Sequence, residues 1–308
     1  MKKAKLDVGT TEEAYPTHLP AKIPILGRAY KASEAAYTGF VHRTRADVFD
    51  KMVKIAKKSG VDLNDAELQS IGKMVNSLTG RGHLGKRVEP AASAINSIFF
   101  SPRFVKSQID ALTHPLTGAG GSNFVRKQAA LNLMKVIGGT AAVLTIAKAV
   151  DRDSVDFDPR SANFGKIKTG DTRFDVSGGM ASLITLAARL ATMSSKSSIT
   201  GKVTPMNART RSGEPKFGAT TGKEVFYDFI ENKTSPVASV AMHLLEGKTR
   251  EGGKPTIGSE ARALFEPMPV ANYQELKSNP NSANTLTSSG SRSRKKSFSS
   301  SECLNPFV

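Results

Sequence analysis

The chain has one cysteine, no tryptophan, and aromatic side chains at only 6% of its 308 positions. A single thiol, Cys303, excludes a disulfide scaffold and a cysteine-built zinc site. Set in a polar tail, it is also a poor match for a buried, activated nucleophile. The five histidines (His18, His42, His83, His114 and His243) include no pair three or four apart, so metal-ligand spacing is missing too. Apolar residues make up 39%, low for a globular domain, so part of the chain is expected to lie outside any core. A secretory leader is not written here: Asp7 and Glu12-Glu13 stand where the apolar stretch should follow the Met1-Lys2-Lys3 start. The expected location is a cytoplasm, or one reached by a route other than Sec export. Acid is scarce, with 27 Asp and Glu against 44 Lys and Arg, a formal net charge of +17. That excess suits contact with a polyanion through counterion release, or simply a solvated cationic surface.

The remaining sequence is mostly helical in pattern. Residues 1–28 read as an extended arm, because Pro16, Pro20 and Pro24 forbid a helix interior; Ile23, Ile25 and Leu26 could clip it to a neighbouring core. From Ser33, the positions Tyr37, Phe40, Val41, Val48, Phe49, Met52, Val53 and Ala56 share one helical face, and Gly60 stops the run. Asn64 with Glu67 three residues on predicts a capping box opening a second helix that ends at Gly80. A short helix over 90–100 and another from Ser101-Pro102 to Leu112 follow, then a turn over 115–121.

Residues 122–150 form the longest apolar helix, with a window between Lys135 and Lys148 that carries no charge. That window is shorter than the roughly 20 residues a span needs, so a buried core helix is the expected role, with membrane insertion as the alternative. Gly138-Gly139 within it suggests a close helix crossing or a kink. Alternation on either side of Thr169-Gly170-Asp171 predicts a β-hairpin over about 164–176 with a three-residue turn. A second apolar helix spans about 179–193. Residues 194–223 read as a basic loop without periodicity, and helices then open at Thr221, at Ser235-Pro236 and at Ile257. The organisation expected is therefore the arm 1–28, a mainly α domain over 29–270 with one inserted hairpin, and a disordered basic tail over 271–308.

Few motifs carry chemistry. Gly247-Lys248-Thr249 has Met242 where a phosphate-binding loop needs glycine, and Gly222-Lys223-Glu224 has Phe217 there. Gly118-Ala119-Gly120-Gly121 lacks the dinucleotide fingerprint and reads as a turn. The acidic loop of Asp151, Asp153, Asp156 and Asp158 lacks calcium-loop spacing, and its carboxylates are expected to pair with Arg160 and Arg173. No catalytic residue, metal or cofactor is expected. The basic segments remain: Arg81, Lys86 and Arg87 in one loop, and Lys202, Arg209 and Arg211 in another, are the expected sequence-neutral phosphate contacts. With so few aromatics among them, base-stacking readers are disfavoured.

Several stretches together resemble a known module. Leu19-Pro20-Ala21-Lys22-Ile23-Pro24-Ile25-Leu26-Gly27-Arg28 and the run through Phe40 to Asp50 carry the likeness. So do Ser101-Pro102-Arg103-Phe104, Asp158-Pro159-Arg160-Ser161 with Phe164-Gly165-Lys166-Ile167, and Ser235-Pro236 through Lys248. Across roughly 17–270 they resemble the large polyvalent protein associated domains of phages and mobile elements. The resemblance implies a helical module, set toward the C-terminus of long proteins carried in the virion and delivered with the genome, whose enzymatic activities lie in other modules. A split gene or a remnant of such a protein is the origin it suggests. The resulting expectation is a non-enzymatic phage accessory protein, in the virion or the bacterial host cytoplasm, touching nucleic acid nonspecifically and other phage proteins. The rival is a membrane-interacting component of genome delivery, in which 122–150 and 179–193 insert as a pair.

Overall fold

Asn64, Ser122, Thr221 and Ser235 each accept a hydrogen bond from the amide three residues on, and each opens a helix. These local caps set the frame of a mainly α structure, seen in a computed structural model that describes residues 2–8, 26–85, 87–169, 172–198, 200–210, 213–214, 219–249 and 253–260. Helix α1 (Leu26–Lys58) starts seven residues before Ser33, where the helical pattern was expected to begin, and is followed by α2 (Asp65–Leu78). A 3-10 turn over Glu89–Ala91 leads into α3 (Ala92–Ile98), α4 (Pro102–Gly121) and α5 (Asn123–Val150). Strands β1 (Lys166–Thr169) and β2 (Thr172–Asp175) precede α6 (Met180–Thr192). Strands β3 (Ser194–Lys196) and β4 (Val203–Pro205) then lead to α7 (Gly222–Glu231) and α8 (Pro236–Glu246).

One core cluster gathers the second half of α1, α2, the end of α4 and the start of α5. Phe49, Met52, Ala56, Ile71, Met74, Val75, Ala119, Val125 and Ala129 are buried together. Ala4 and Leu6 join them. The first residues of the expected arm are thus folded into the core, while residues 9–25, including Ile23 and Ile25, lie outside the described residues. The segment is held much as a strand would be: Asn76 Nδ2 donates to the Lys5 carbonyl and Asn76 Oδ1 accepts from the Asp7 amide, both at 3.0 Å. The long stripe on α1 is only half used, for Tyr37 is exposed and Phe40 is 71% exposed.

Several expectations are corrected. Asn64 caps α2, but the Glu67 carboxylate accepts from Ser122 Oγ at the head of α5. Helix α4 runs through Pro115 and turns only at Gly118, Ala119 and Gly120, all with positive φ. The β1–β2 register pairs Thr169 with Thr172, so the connection has two residues rather than three. Part of the expected loop over 194–223 is a second hairpin, with Ser194 opposite Pro205 and Lys196 opposite Val203. Of the expected last helix, Ile257–Glu260 is helical; the rest of it and the tail over 271–308 lie outside the described residues.

Candidate functional site

One of the six expected phosphate contacts is not a surface residue. Arg81 is 7% exposed, and its guanidinium is ion-paired with Asp7. Arg103 binds the Glu89 carboxylate beside the same aspartate, and Arg45, fully buried, donates to the Asp7 carbonyl and to Thr79 Oγ1. Arg81 is therefore a staple for the N-terminal segment, a correction to its reading as a surface cation. Its carboxylate partner lies 74 residues away, beyond any local pattern. Lys86 and Arg211 lie outside the described residues. Arg87, Lys202 and Arg209 are exposed, the last donating to the Gly213 carbonyl at 3.0 Å.

Two carboxylates of the acidic loop, Asp156 and Asp158, are ion-paired. Asp158 accepts twice from Arg160, at 2.9 and 2.8 Å, and this pairing holds its carboxyl at about 2. Burial pushes Asp156 upward, but the Lys196 ammonium at 2.8 Å and the Asp158 amide outweigh it and leave the carboxyl below its usual range. Arg173, the other expected partner, instead donates through Nε to Asn163 Oδ1 at 2.6 Å. Among the described residues no group of three His, Cys, Asp or Glu is placed to hold a metal ion.

A second polar cluster lies under the core. Buried Asp110 accepts from Ser77 Oγ at 2.7 Å and from Lys106, with His114 Nε2 at 3.8 Å. Burial presses the His114 imidazole below its ordinary value; Asp110 opposes this, while Lys106 and Lys73 add to it. The adjoining cavity, lined by Met74, Ser77, His114, Ala129, Leu133 and Val136, has a volume of about 40 Å³. That is room for a water or two rather than a substrate. A buried His243 sits between Ser239 Oγ at 3.4 Å and Glu260 at 3.1 Å, fastening the Ile257–Glu260 turn to α8.

Helix α5 overturns the expectation of a core helix. Its first two turns enter the core through Val125 and Ala129, but beyond them only Leu144 is buried. Leu131, Met134, Val136, Ile137, Val143, Ile146 and Val150 are exposed. Of its most apolar 18-residue window, long and greasy enough to cross a membrane, 11% is buried. Gly138 and Gly139 face open space, so the expected crossing is not formed among the described residues. Leu190 on α6, Met193 just after it, and Val237, Leu244 and Leu245 on α8 are exposed as well. An apolar helix face left this open is the kind of surface that a partner or a membrane covers. No protein-family model, no curated protein and no solved structure matches the chain.

Proposed function

We propose that this chain is a non-enzymatic accessory module of phage genome delivery that acts by seating α5 in an anionic membrane surface. The uncovered apolar length of α5 carries the reading. A core helix of a soluble protein would be mostly buried, and a leader would stand near the N-terminus; α5 is neither. Although its most apolar 18-residue window passes the length and hydropathy test for a span, its charge-free stretch, residues 136–147, is only about 18 Å long, short of the roughly 30 Å hydrocarbon core. An interfacial seat, with exposed Lys135 reaching the headgroups while Lys148 is held over the Phe157 ring and against the Val155 carbonyl, fits that length better than a fixed span. The polyvalent-protein resemblance supplies the phage context, and with it a place in the virion or the host cytoplasm before delivery.

Flotation with vesicles tests the reading. The protein should rise with phosphatidylglycerol-containing vesicles and less with phosphatidylcholine alone. Exposed Ile137 and Ile146 can be changed with little effect on folding. I137E/I146E should lower partitioning at least about a hundredfold, since each isoleucine contributes on the order of 1.5 kcal/mol or more. A native protein that stays at the bottom with anionic vesicles would dispose of the idea. Exposed Arg87, Lys202 and Arg209 favour a second reading, nonspecific nucleic-acid contact. Gel shift over a salt series tests it: affinity should fall with a log–log slope of about −0.9 per phosphate engaged.

A further inference from the structure

A buried histidine stands between the core and the bare length of α5. His114 lies on α4, one turn before the bend at Gly118, Ala119 and Gly120, and its side chain is 10% exposed. It lines the cavity of about 40 Å³, which α2 walls with Met74 and Ser77, and α5 with Ala129, Asn132, Leu133 and Val136. The four α5 positions are spaced three, four and seven apart, so they form a single face of that helix. The charges that act on the imidazole come from α4 and α2. Asp110 Oδ1 is 3.8 Å from His114 Nε2, too long for a hydrogen bond, and accepts from Lys106. Asp110 Oδ2 accepts from Ser77 Oγ at 2.7 Å, so both oxygens are engaged. Lys73 of α2 adds a second cation. Among the described residues, neither the α5 wall nor Met180 of α6 brings a charge to the cavity.

A proton on His114 would therefore place a third cation beside two lysines and an occupied carboxylate, in a space with room for little water. Burial, the largest influence, acts with the two lysines to outweigh Asp110 and holds the imidazole below its ordinary value. An imidazolium there needs water, and one wall of the cavity can yield to admit it. The α2 wall cannot, because Ile71, Met74 and Val75 are at most 1% exposed. The α5 wall can: Asn132 and Leu133 are half-buried, Val136 is exposed, and beyond Ala129 only Leu144 is buried. Once α5 has parted from α4, the imidazole meets solvent and returns toward 6.5. The parted form then takes up the proton first. Each pH unit below 6.5 favours it by up to about tenfold, until the closed form is protonated as well.

We propose that His114 is a proton-operated lock on α5, in which acid parts α5 from α4 beyond Ala129 and frees its inner face, Leu133 and Val136, for the membrane. At neutral pH only the outer face of α5 is open to lipid; below pH 6.5 the inner face joins it. The lock deepens the membrane reading and rests on it for its use, but the parting of the helices takes place without lipid and is measured without it.

Amide hydrogen exchange of the full chain, without vesicles, at pH 7.5 and 5.5 is the first test. After correction for intrinsic rates, amides over 132–147 should lose protection by up to about tenfold at pH 5.5, while those of α2 over 65–78 keep theirs. A histidine that merely fills space would loosen both helices together, or neither. H114Q, which keeps a neutral polar side chain, should show no acid effect on α5. H83Q, at an exposed side chain paired with Glu89, should behave as the native protein does. Equal loss in α2 and α5, no loss in α5, or the same loss in H114Q would each overturn the lock. Flotation with phosphatidylglycerol-containing vesicles at the same two pH values is the second test. Native partitioning should rise by up to about tenfold on acidification, and that of H114Q should not change. Native protein that floats equally at both pH values overturns the lock and leaves the membrane reading standing. If it floats at neither, the membrane reading falls, and the exchange result alone decides the lock.

Discussion

Replacing Gly72 by alanine should destabilise this protein, although the same change in most helices does the reverse. Glycine inside a helix costs about 1 kcal/mol relative to alanine, and Gly72 lies in the middle of α2. A Cβ built there, however, would overlap the backbone carbonyl of Ala4, which cannot swing aside as a side chain could. The N-terminal segment would have to lift. Leu6, now 7% exposed, would return to water at a cost of about 1.5–3 kcal/mol. Both hydrogen bonds to Asn76 would go, at about 1 kcal/mol each. Arg81 and Arg45 would lose Asp7, partly offset as their side chains reach solvent. Against the helix gain of about 1 kcal/mol, the net loss should be about 2–4 kcal/mol. Urea denaturation of native and G72A proteins measures it. The cycle closes with a chain lacking residues 1–8, in which G72A should become stabilising by about 1 kcal/mol. A G72A protein as stable as the native one, or the same sign in both backgrounds, would refute the docking of this segment.

Three further outcomes follow from the polar contacts. Changing Ser77 to alanine removes a hydrogen bond from buried Asp110 and should cost about 1–3 kcal/mol of stability in denaturant titration. Asp158, held at about 2, has a folded pKa below the unfolded carboxylate value near 3.8. Its stabilisation is therefore complete above pH 4 and lost as pH falls toward 2, by no more than about 1 kcal/mol for a screened surface pair; D158N should flatten that part of the acid-unfolding curve. His114 lies below 6.5 in the folded state, so the unfolded chain takes up its proton first, and stability should begin to fall as pH drops through 6.5. H114Q should remove that slope.

What was legible in the sequence was local. Asn64, Ser122, Thr221 and Ser235-Pro236 announce helix starts because a cap and its amide are three residues apart, although the capping box forms at Thr221 with Glu224 and not at Asn64. The alternation of Ile167 and Phe174 with charged neighbours marks the hairpin for the same reason. Pairings across the chain were hidden. Nothing near Arg81 points to Asp7, and Asp7 itself reads only as a break in a leader pattern. The β3–β4 hairpin escaped because Ser194-Ser195-Lys196 has no apolar alternation; its strands are held by backbone bonds and a bridge from Ser161 to Lys196. Periodicity located the apolar faces of α1 and α5 but was silent on coverage, since the same stripe serves a core, a partner or a bilayer.

Element lengths explain why α5 is left bare. Helices α1 and α5, of 33 and 28 residues, are about 50 and 42 Å long, while α2 at 14 residues reaches about 21 Å. The short helices cannot cover the long ones, so the front of α1 and the back of α5 outrun the core. An overhang of that kind is usually polar in a soluble protein. On α5 it is apolar, and the helix carries Arg126, Lys127, Lys135 and Lys148 without one acid. Two copies meeting face to face would bring eight cations together with nothing to neutralise them. A protein partner would have to be apolar and acidic at once. An anionic bilayer offers hydrocarbon and negative charge within a few ångströms of each other, which matches both properties of α5.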